Sequence, residues 1–293
     1  MGELFALITA CLWSGSSLAF ASASKRVGSF YVNVTRLFLA ATYLFILILL
    51  MRFDMNLSGS QLMYLCISGI LGLAVGDTFL FKAYQLNGAR ITMLIMSLAP
   101  AIAASLAFFI LAESISLTGI TGITITIFGI CVVVLEGGSD GSPRGKLSST
   151  GIIYALLAAA GQGAGLVFAK VAFRESDING FVATEIRILA SIVPLVPFAL
   201  LTKRYSHPYQ TFIRDIPAFW QTVLGSILGP FLGITSSLLA IKYTDVGIAA
   251  TIMAIVPILM LPLVKFIYKE KFTWRAIIGA FVAVAGVSVL FLR

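Results

Sequence analysis

The sequence predicts an all-α membrane protein: ten transmembrane helices in two inverted five-helix repeats. Three observations carry that prediction. The chain of 293 residues is 59% apolar and only 11% charged, with a mean hydropathy of +1.04, whereas soluble domains carry roughly 25% charged residues. Charges and turn residues cut it into apolar runs of about the 20 residues that roughly 30 Å of hydrocarbon requires. Finally, the stretch from Ser68 to Val132 lies on Gly225 to Val289 without a gap. One offset of 157 carries Gly72, Gly76, Thr78, Met96, Pro100, Glu113, Gly122 and Gly129 onto Gly229, Gly233, Thr235, Met253, Pro257, Glu270, Gly279 and Gly286. Apolar residues match by chance in so hydrophobic a chain, but Gly, Pro and Glu at fixed spacing mark an internal duplication.

The spans follow in order. Span 1, Leu4–Ser22, is preceded by no Lys or Arg, and Gly2, Ala6, Leu7 and Ala10 correspond to Gly151, Ala155, Leu156 and Ala159. It reads as a retained helix, although Ala19-Phe20-Ala21-Ser22-Ala23 offers small-x-small cleavage sites. Span 2 is Phe30–Met51 and span 3 is Gln61–Gln85, where Gly72 and Gly76 stand four apart on one face. Span 4, Ile91–Leu111, carries Pro100 midway, and span 5 is Leu117–Leu135. Glu136–Ser149, with Gly137, Gly138, Gly141, Ser142 and Pro143, reads as a flexible connection. Spans 6 to 10 are Thr150–Lys170, Phe181–Leu201, Ala218–Ile241, Gly247–Tyr268 and Trp274–Leu292. Span 8 repeats glycine at 225, 229 and 233, and span 9 carries Pro257. The ten-residue alternation of a membrane β-barrel does not occur.

The repeats are residues 1–136 and 149–293, joined by a linker at 137–148. Five spans each is an odd number, so the second copy enters the membrane from the opposite side. Inverted repeats place a substrate site near the midplane between them and expose it by rocking one half against the other. A carrier is the expectation.

Other classes fit less well. The formal charge of +8 is scattered over helix ends and loops, which argues for membrane topology over nucleic acid. Cys11, Cys66 and Cys131 show neither paired nor metal-ligand spacing, and no metal or cofactor is expected. A phosphate-binding Gly-Lys loop and a zinc-protease His pair are missing, and the single His207 precedes Pro208 in a loop, so no catalytic residue is assigned. The expected partners are a small-molecule substrate and the lipid bilayer, with monomer or homodimer left open.

Ionisable groups inside spans are functional candidates by default. Asp77 lies about 12 Å from the end of span 3, and its counterpart under the offset is Ile234. A purely architectural acid would tend to appear in both halves. Phe81 and Tyr84 follow at i+4 and i+7, so the acid looks over an aromatic face. Asp77 therefore binds a proton or a cationic substrate group, or else pairs with a base such as Arg36. Glu185 is the second candidate for proton coupling. Arg36 and Arg187, matched deep in spans 2 and 7, are candidates for binding an anion or for pairing with acids such as Glu185. Lys82 and Lys265 stand nearer helix ends, where they reach water or an anion. Trp13, Phe79, Tyr84, Gln162 and Tyr243 complete the substrate-binding candidates, the aromatics by stacking and the amide by orientation. Pro100 and Pro257 each remove a backbone hydrogen bond and favour a kink, a candidate gate. Glu113 and Glu270 close spans 4 and 9 three residues before Ser116 and Thr273, which can cap the next helix.

Trp13, Thr35-Arg36 with its echo Arg187, and the order Gly76-Asp77-Thr78, Ala83-Tyr84, Gly88-Ala89, Pro100, Glu113, Gly122, Gly129 together resemble the drug/metabolite transporter superfamily, in particular its EamA-type members. That resemblance implies ten helices in two halves around a cavity lined mainly by helices 1, 3, 4, 6, 8 and 9. It also implies a substrate among amino acids, other metabolites, sugar phosphates, nucleotide sugars or drugs, with export common. The expectation is a secondary transporter, an exporter of small organic solutes such as amino acids, in a bacterial or archaeal inner membrane. The alternative is an anion exchanger for phosphorylated metabolites, a sugar phosphate or nucleotide sugar. Orientation stays open: the loops after spans 1, 3, 5, 7 and 9 hold most of the Lys and Arg, which puts both termini outside, while the resemblance implies cytoplasmic termini.

Overall fold

A computed structural model describes residues 1–111, 117–136, 147–244, 249, 252–268 and 273–290. Every regular element among them is a helix. Helix α1 (Gly2–Val27) passes to α2 (Ser29–Met51) at Gly28, whose φ of 97° suits glycine. Predicted span 3 is built from α3 (Gly59–Gly69), a π-helical segment (Ile70–Gly76) and the start of α4 (Asp77–Met96). Within α4 the backbone breaks at Gly88, φ 74° and ψ 174°, and this joint separates spans 3 and 4. Next come α5 (Ala99–Leu111) and α6 (Leu117–Glu136). The second half holds α7 (Ser149–Glu175), α8 (Gly180–Leu201), a short α9 (Pro208–Arg214), α10 (Ile216–Ser226), a second π-helical segment (Ile227–Ile234), α11 (Thr235–Tyr243), α12 (Val256–Tyr268) and α13 (Trp274–Leu290).

Six helical stretches are long and apolar enough to cross a bilayer: Gly2–Val27, Ser29–Met51, Gly59–Met96 with its joint at Gly88, Ser149–Glu175, Gly180–Leu201 and Ile216–Tyr243. Shorter apolar helices, Leu117–Val133, Val256–Ile267 and Trp274–Val289, stand in the remaining predicted regions. Large apolar side chains face outward, among them Phe45 at 52%, Val193 at 71% and Phe266 at 81% exposure. Such a surface suits lipid, not water.

The irregularities obey the same offset as the sequence. The two π-helical segments start at Ile70 and Ile227, 157 residues apart. Near the end of each stands a glycine whose added Cβ would meet the carbonyl five residues back, Leu71 O at 3.1 Å from Gly76 and Leu228 O at 2.6 Å from Gly233. The widened turn thus leaves no room for a side chain there. Helix breaks fall at Ser97–Leu98 and Ala254–Ile255, again 157 apart. Pro100 and Pro257 therefore stand in the first turn of a new helix, where a missing N–H is harmless. Upstream, Ser97 N and Leu98 N donate to Leu94 O and Ile95 O, and Ile255 N to Ile252 O, the tight i→i−3 bonds of an unwinding helix end. The kink expected at each proline is thus a break two residues before it.

Caps set the ends. Ser58 and Gln61 form a reciprocal capping box at 3.1 Å in each direction, and Ser148, Asn179, Asp215 and Thr273 each accept from a first-turn amide. Glycine seams bring helices from the two halves together. Gly72 and Gly76 lie against Gly161 and Gly165 of α7, where Ser68 Oγ also donates to Gly165 O at 2.6 Å. Gly225, Gly229 and Gly233 receive Phe20, Ser16 and Trp13 of α1 in the same manner. Without a hydrophobic drive between helices in lipid, close backbone approach supplies the dispersion contact. Glu113, Glu270 and linker residues 137–146 lie outside the described residues.

Candidate functional site

Between these helices lies an internal cavity of about 130 Å³, close to the size of an apolar protein cavity that takes benzene, about 150 Å³. Helices of both halves contribute to its wall. The resemblance implied a lining from spans 1, 3, 4, 6, 8 and 9, and residues of all six are present, with Arg36 from α2 and Arg187 from α8 added. Both helix breaks open onto it, through Ser97 and Pro100 on one side and Ala254 and Pro257 on the other.

Its polar centre is built around Asp77, the first residue after the π-helical segment. Arg36 Nη2 donates to Asp77 Oδ2, and Gln162 Nε2 donates to Asp77 Oδ1 at 3.1 Å. Arg36 is fixed from behind by Asn33, one turn earlier on α2, whose Oδ1 accepts from Nε at 3.1 Å and from Nη2 at 3.0 Å. Asn33 Nδ2 in turn donates to Thr78 Oγ1 at 3.2 Å. The guanidinium carbon lies 4.7 Å from the ring centroid of Phe81 and 5.6 Å from that of Phe20, a desolvated cation–π setting. With both partners almost fully buried, the pair is braced by hydrogen bonds to Asn33 and from Gln162, the support that a buried ion pair requires.

Of the two readings that the sequence left open for Asp77, the pairing with Arg36 is the one seen, and the Arg36 side chain lies across the aromatic face at Phe81. Tyr84 is buried on the cavity wall with its hydroxyl 3.1 Å from Met93 Sδ. Trp13, Gln162, Pro100, Pro257 and Arg187 also line the cavity. Phe79 stacks on Tyr154 at 5.6 Å, away from it. Tyr243 is 55% exposed and stacks on Phe5 at 6.2 Å. Lys265 is exposed and Lys82 half-buried, and neither is on the cavity wall. Glu185 is buried with Oε2 lacking a hydrogen-bond partner, and it too is absent from the wall. The Arg187–Glu185 pair does not form, because residues two apart on a helix point to different faces.

Residues that sequence reasoning passed over are Asn33, Phe20, Ser16, Met93 and Ser237. Asn33 had a signal: a carboxamide three residues before Arg36 lies on the same helical face. Phe20 had none, since its role depends on how α1 meets the glycines of the second half.

The sequence profile of one transporter family matches the chain over residues 1–135 and 149–292, nearly its whole length. The chain belongs to the EamA-like transporter family. An uncharacterized transporter of the archaeon Archaeoglobus fulgidus is 23% identical over 289 residues, covering 99% of this chain and 97% of that protein. A solved crystal structure superposes with a TM-score of 0.69 at 18% identity, over 99% of this chain and 98% of that one. At that identity the likeness shows the fold. An EamA-like transporter with apolar helices of this length is an integral membrane protein.

Proposed function

We propose that this EamA-like transporter is a secondary carrier that exports small organic solutes, amino acids or related metabolites, by alternating access. The observation that carries the reading is the cavity between the two halves, with one buried carboxylate and two guanidinium groups on an otherwise largely apolar wall. Residues 1–136 and 149–293 are the inverted repeats that rock about it, joined by the linker at 137–148, with the matched breaks before Pro100 and Pro257 as the yielding points. A volume of about 130 Å³ suits a solute of a few heavy atoms; a nucleotide sugar, at drug size or above, needs roughly 300 Å³ or more. With Lys82 and Lys265 off the wall, the phosphorylated-metabolite alternative loses two of its four cations. Export is the direction that the resemblance to the drug/metabolite transporter superfamily favours, and an archaeal transporter as relative supports a prokaryotic membrane.

Asp77 is the acid we assign to proton coupling: its charge is matched by Arg36, so protonation would release Arg36 and loosen the contact between α2 and α4. Counterflow in proteoliposomes against an amino-acid panel tests the carrier, and at least one panel member should exchange faster than in empty vesicles. Asp77→Asn keeps the fold and abolishes the pH dependence of that exchange. A pH profile that survives in Asp77→Asn while vanishing in Glu185→Gln transfers the coupling role to Glu185.

A further inference from the structure

Arg36 and Arg187 hold matching places in the two halves, yet only one of them has an acid. The residue 157 positions after Asp77 is Ile234, which also lines the cavity. The second half thus carries isoleucine at the position where the first half carries the carboxylate that pairs with Arg36. Arg187 is buried, 2% exposed, and its Nε has no hydrogen-bond partner. Among the described residues no carboxylate comes within ion-pair distance of it, although Asp77 acts on it from further away. Asp77 is already taken by Arg36 and Gln162. The cavity wall therefore carries a guanidinium in excess, and a guanidinium buried without an acceptor costs stability that a bound anion would restore.

The space for that anion is the cavity itself, which Arg187 and Gln162 both line. A Cβ on Gly72 would stand 3.4 Å from Arg187 Nη2 and 3.6 Å from Gln162 Oε1. Gly72 thus packs close to both groups and brings them together at the cavity edge. Gly69, one turn earlier, lets α3 touch the Arg187 backbone itself, since a Cβ there would collide with the Arg187 carbonyl. The helix that bears the arginine is consequently held against the π-helical segment that borders the cavity.

We propose that Arg187 is the anchoring residue for a carboxylate of the transported solute, its guanidinium left unpaired by the exchange of an acid for Ile234 and set on the cavity wall. The planar fork of donors matches a carboxylate in a way that an ammonium does not. Gln162, which already orients Asp77, flanks the same space, and the remainder of the solute lies on the apolar wall toward Trp13 and Tyr84. The inference rests on the carrier reading.

The test uses the purified full-length chain and four probes of one size class: pentanoate, pentanamide, pentylamine and methyl phosphate. Binding is read from the rise in Tm with concentration, since a ligand selective for the folded state stabilises it by mass action. Pentanoate is expected to raise the Tm of the wild type, and the amide and amine to leave it unchanged. Arg187→Met should weaken pentanoate by roughly 10–100-fold, the loss of charge-assisted hydrogen bonds, and Arg187→Lys by less. Without ligand, Arg187→Met should melt no lower than wild type, because no hydrogen bond to Nε is given up. Overturning results are a ligand-free Arg187→Met that melts several degrees lower, pentanamide as effective as pentanoate, tighter binding of methyl phosphate, or no response to pentanoate at all. Counterflow judges the carrier reading separately, because solutes without a carboxylate that still exchange would sink the Arg187 assignment alone.

Discussion

Breaking the Arg36–Asp77 pair should be far more harmful than removing it. Arg36→Met leaves Asp77 with one direct hydrogen-bond donor, Gln162 at 3.1 Å, and only the more distant Arg187 as a cation, in a site where the carboxylate is 3% exposed. A buried charge that has lost its direct partner costs about 3–5 kcal/mol, and the lost contact with Phe81 at 4.7 Å belongs to the same sum. At about 2–4 °C per kcal/mol, Tm should fall by roughly 6–20 °C. Asp77→Asn is milder, about 1–2 kcal/mol, because the amide oxygen still accepts from Arg36. The decisive protein is the double variant Arg36→Met/Asp77→Leu, in which both charges give way to apolar groups of similar volume. It should return to within about 2 kcal/mol of wild type, a coupling that a double-mutant cycle reads directly. Melting of wild type, Arg36→Met, Asp77→Leu and the double variant in detergent, followed by near-ultraviolet circular dichroism, supplies all four values of the cycle. A double variant that melts as low as the sum of the singles would refute a mutually compensated pair and leave the two residues as independent packing elements.

Three further outcomes follow from other parts of the fold. Gly233→Ala places a methyl group 2.6 Å from Leu228 O and 2.8 Å from Trp13, so a loss of about 1–3 kcal/mol is expected in the same melting assay, whereas the open Gly59, with nothing within 4 Å, should tolerate Ala. Asp215 caps α10 and accepts from Arg26 Nε at 2.9 Å; first that bond, then the Ala218 amide, hold its carboxyl below the ordinary range. Its contribution is therefore present above the unfolded-chain value of about 3.9 and is lost as pH falls through the lower folded value, so Arg26→Ala and wild type should differ in Tm at pH 7 and converge in strong acid; a constant difference would contradict the linkage. Replacing Pro100 and Pro257 together with Ala restores an N–H at each break and lets α4 and α5, and the pieces around Ala254–Ile255, join as continuous helices; counterflow should slow while Tm holds or rises, and unchanged flux would remove these breaks from the transport cycle.

Much of the site was legible before any coordinate. Asp77, Arg36, Arg187, Gln162 and the two prolines stood out because ions and helix breakers are rare in apolar helices, so each one needs a reason to be there. The Gly, Pro and Glu matches at an offset of 157 located the duplicated half of the chain, and the same offset reappears in both π-helical segments and both helix breaks. Composition put the chain in the membrane, and the missing strand alternation made the spans helices, because backbone amides in hydrocarbon are satisfied only within a helix or a closed barrel. What periodicity could not decide was which partner each ion would meet. Arg36 folds over Phe81 onto Asp77 only because Asn33 braces it and α2 lies against α4. Tyr243 and Lys265 carry the right chemistry, but their helices turn those faces away from the cavity. Sequence spacing specifies a face of one helix; the rotation of that helix against its neighbours, set here by glycine seams joining α1 to the second half and α7 to the first, is a property of packing alone. That packing separates the paired arginine from the unpaired one.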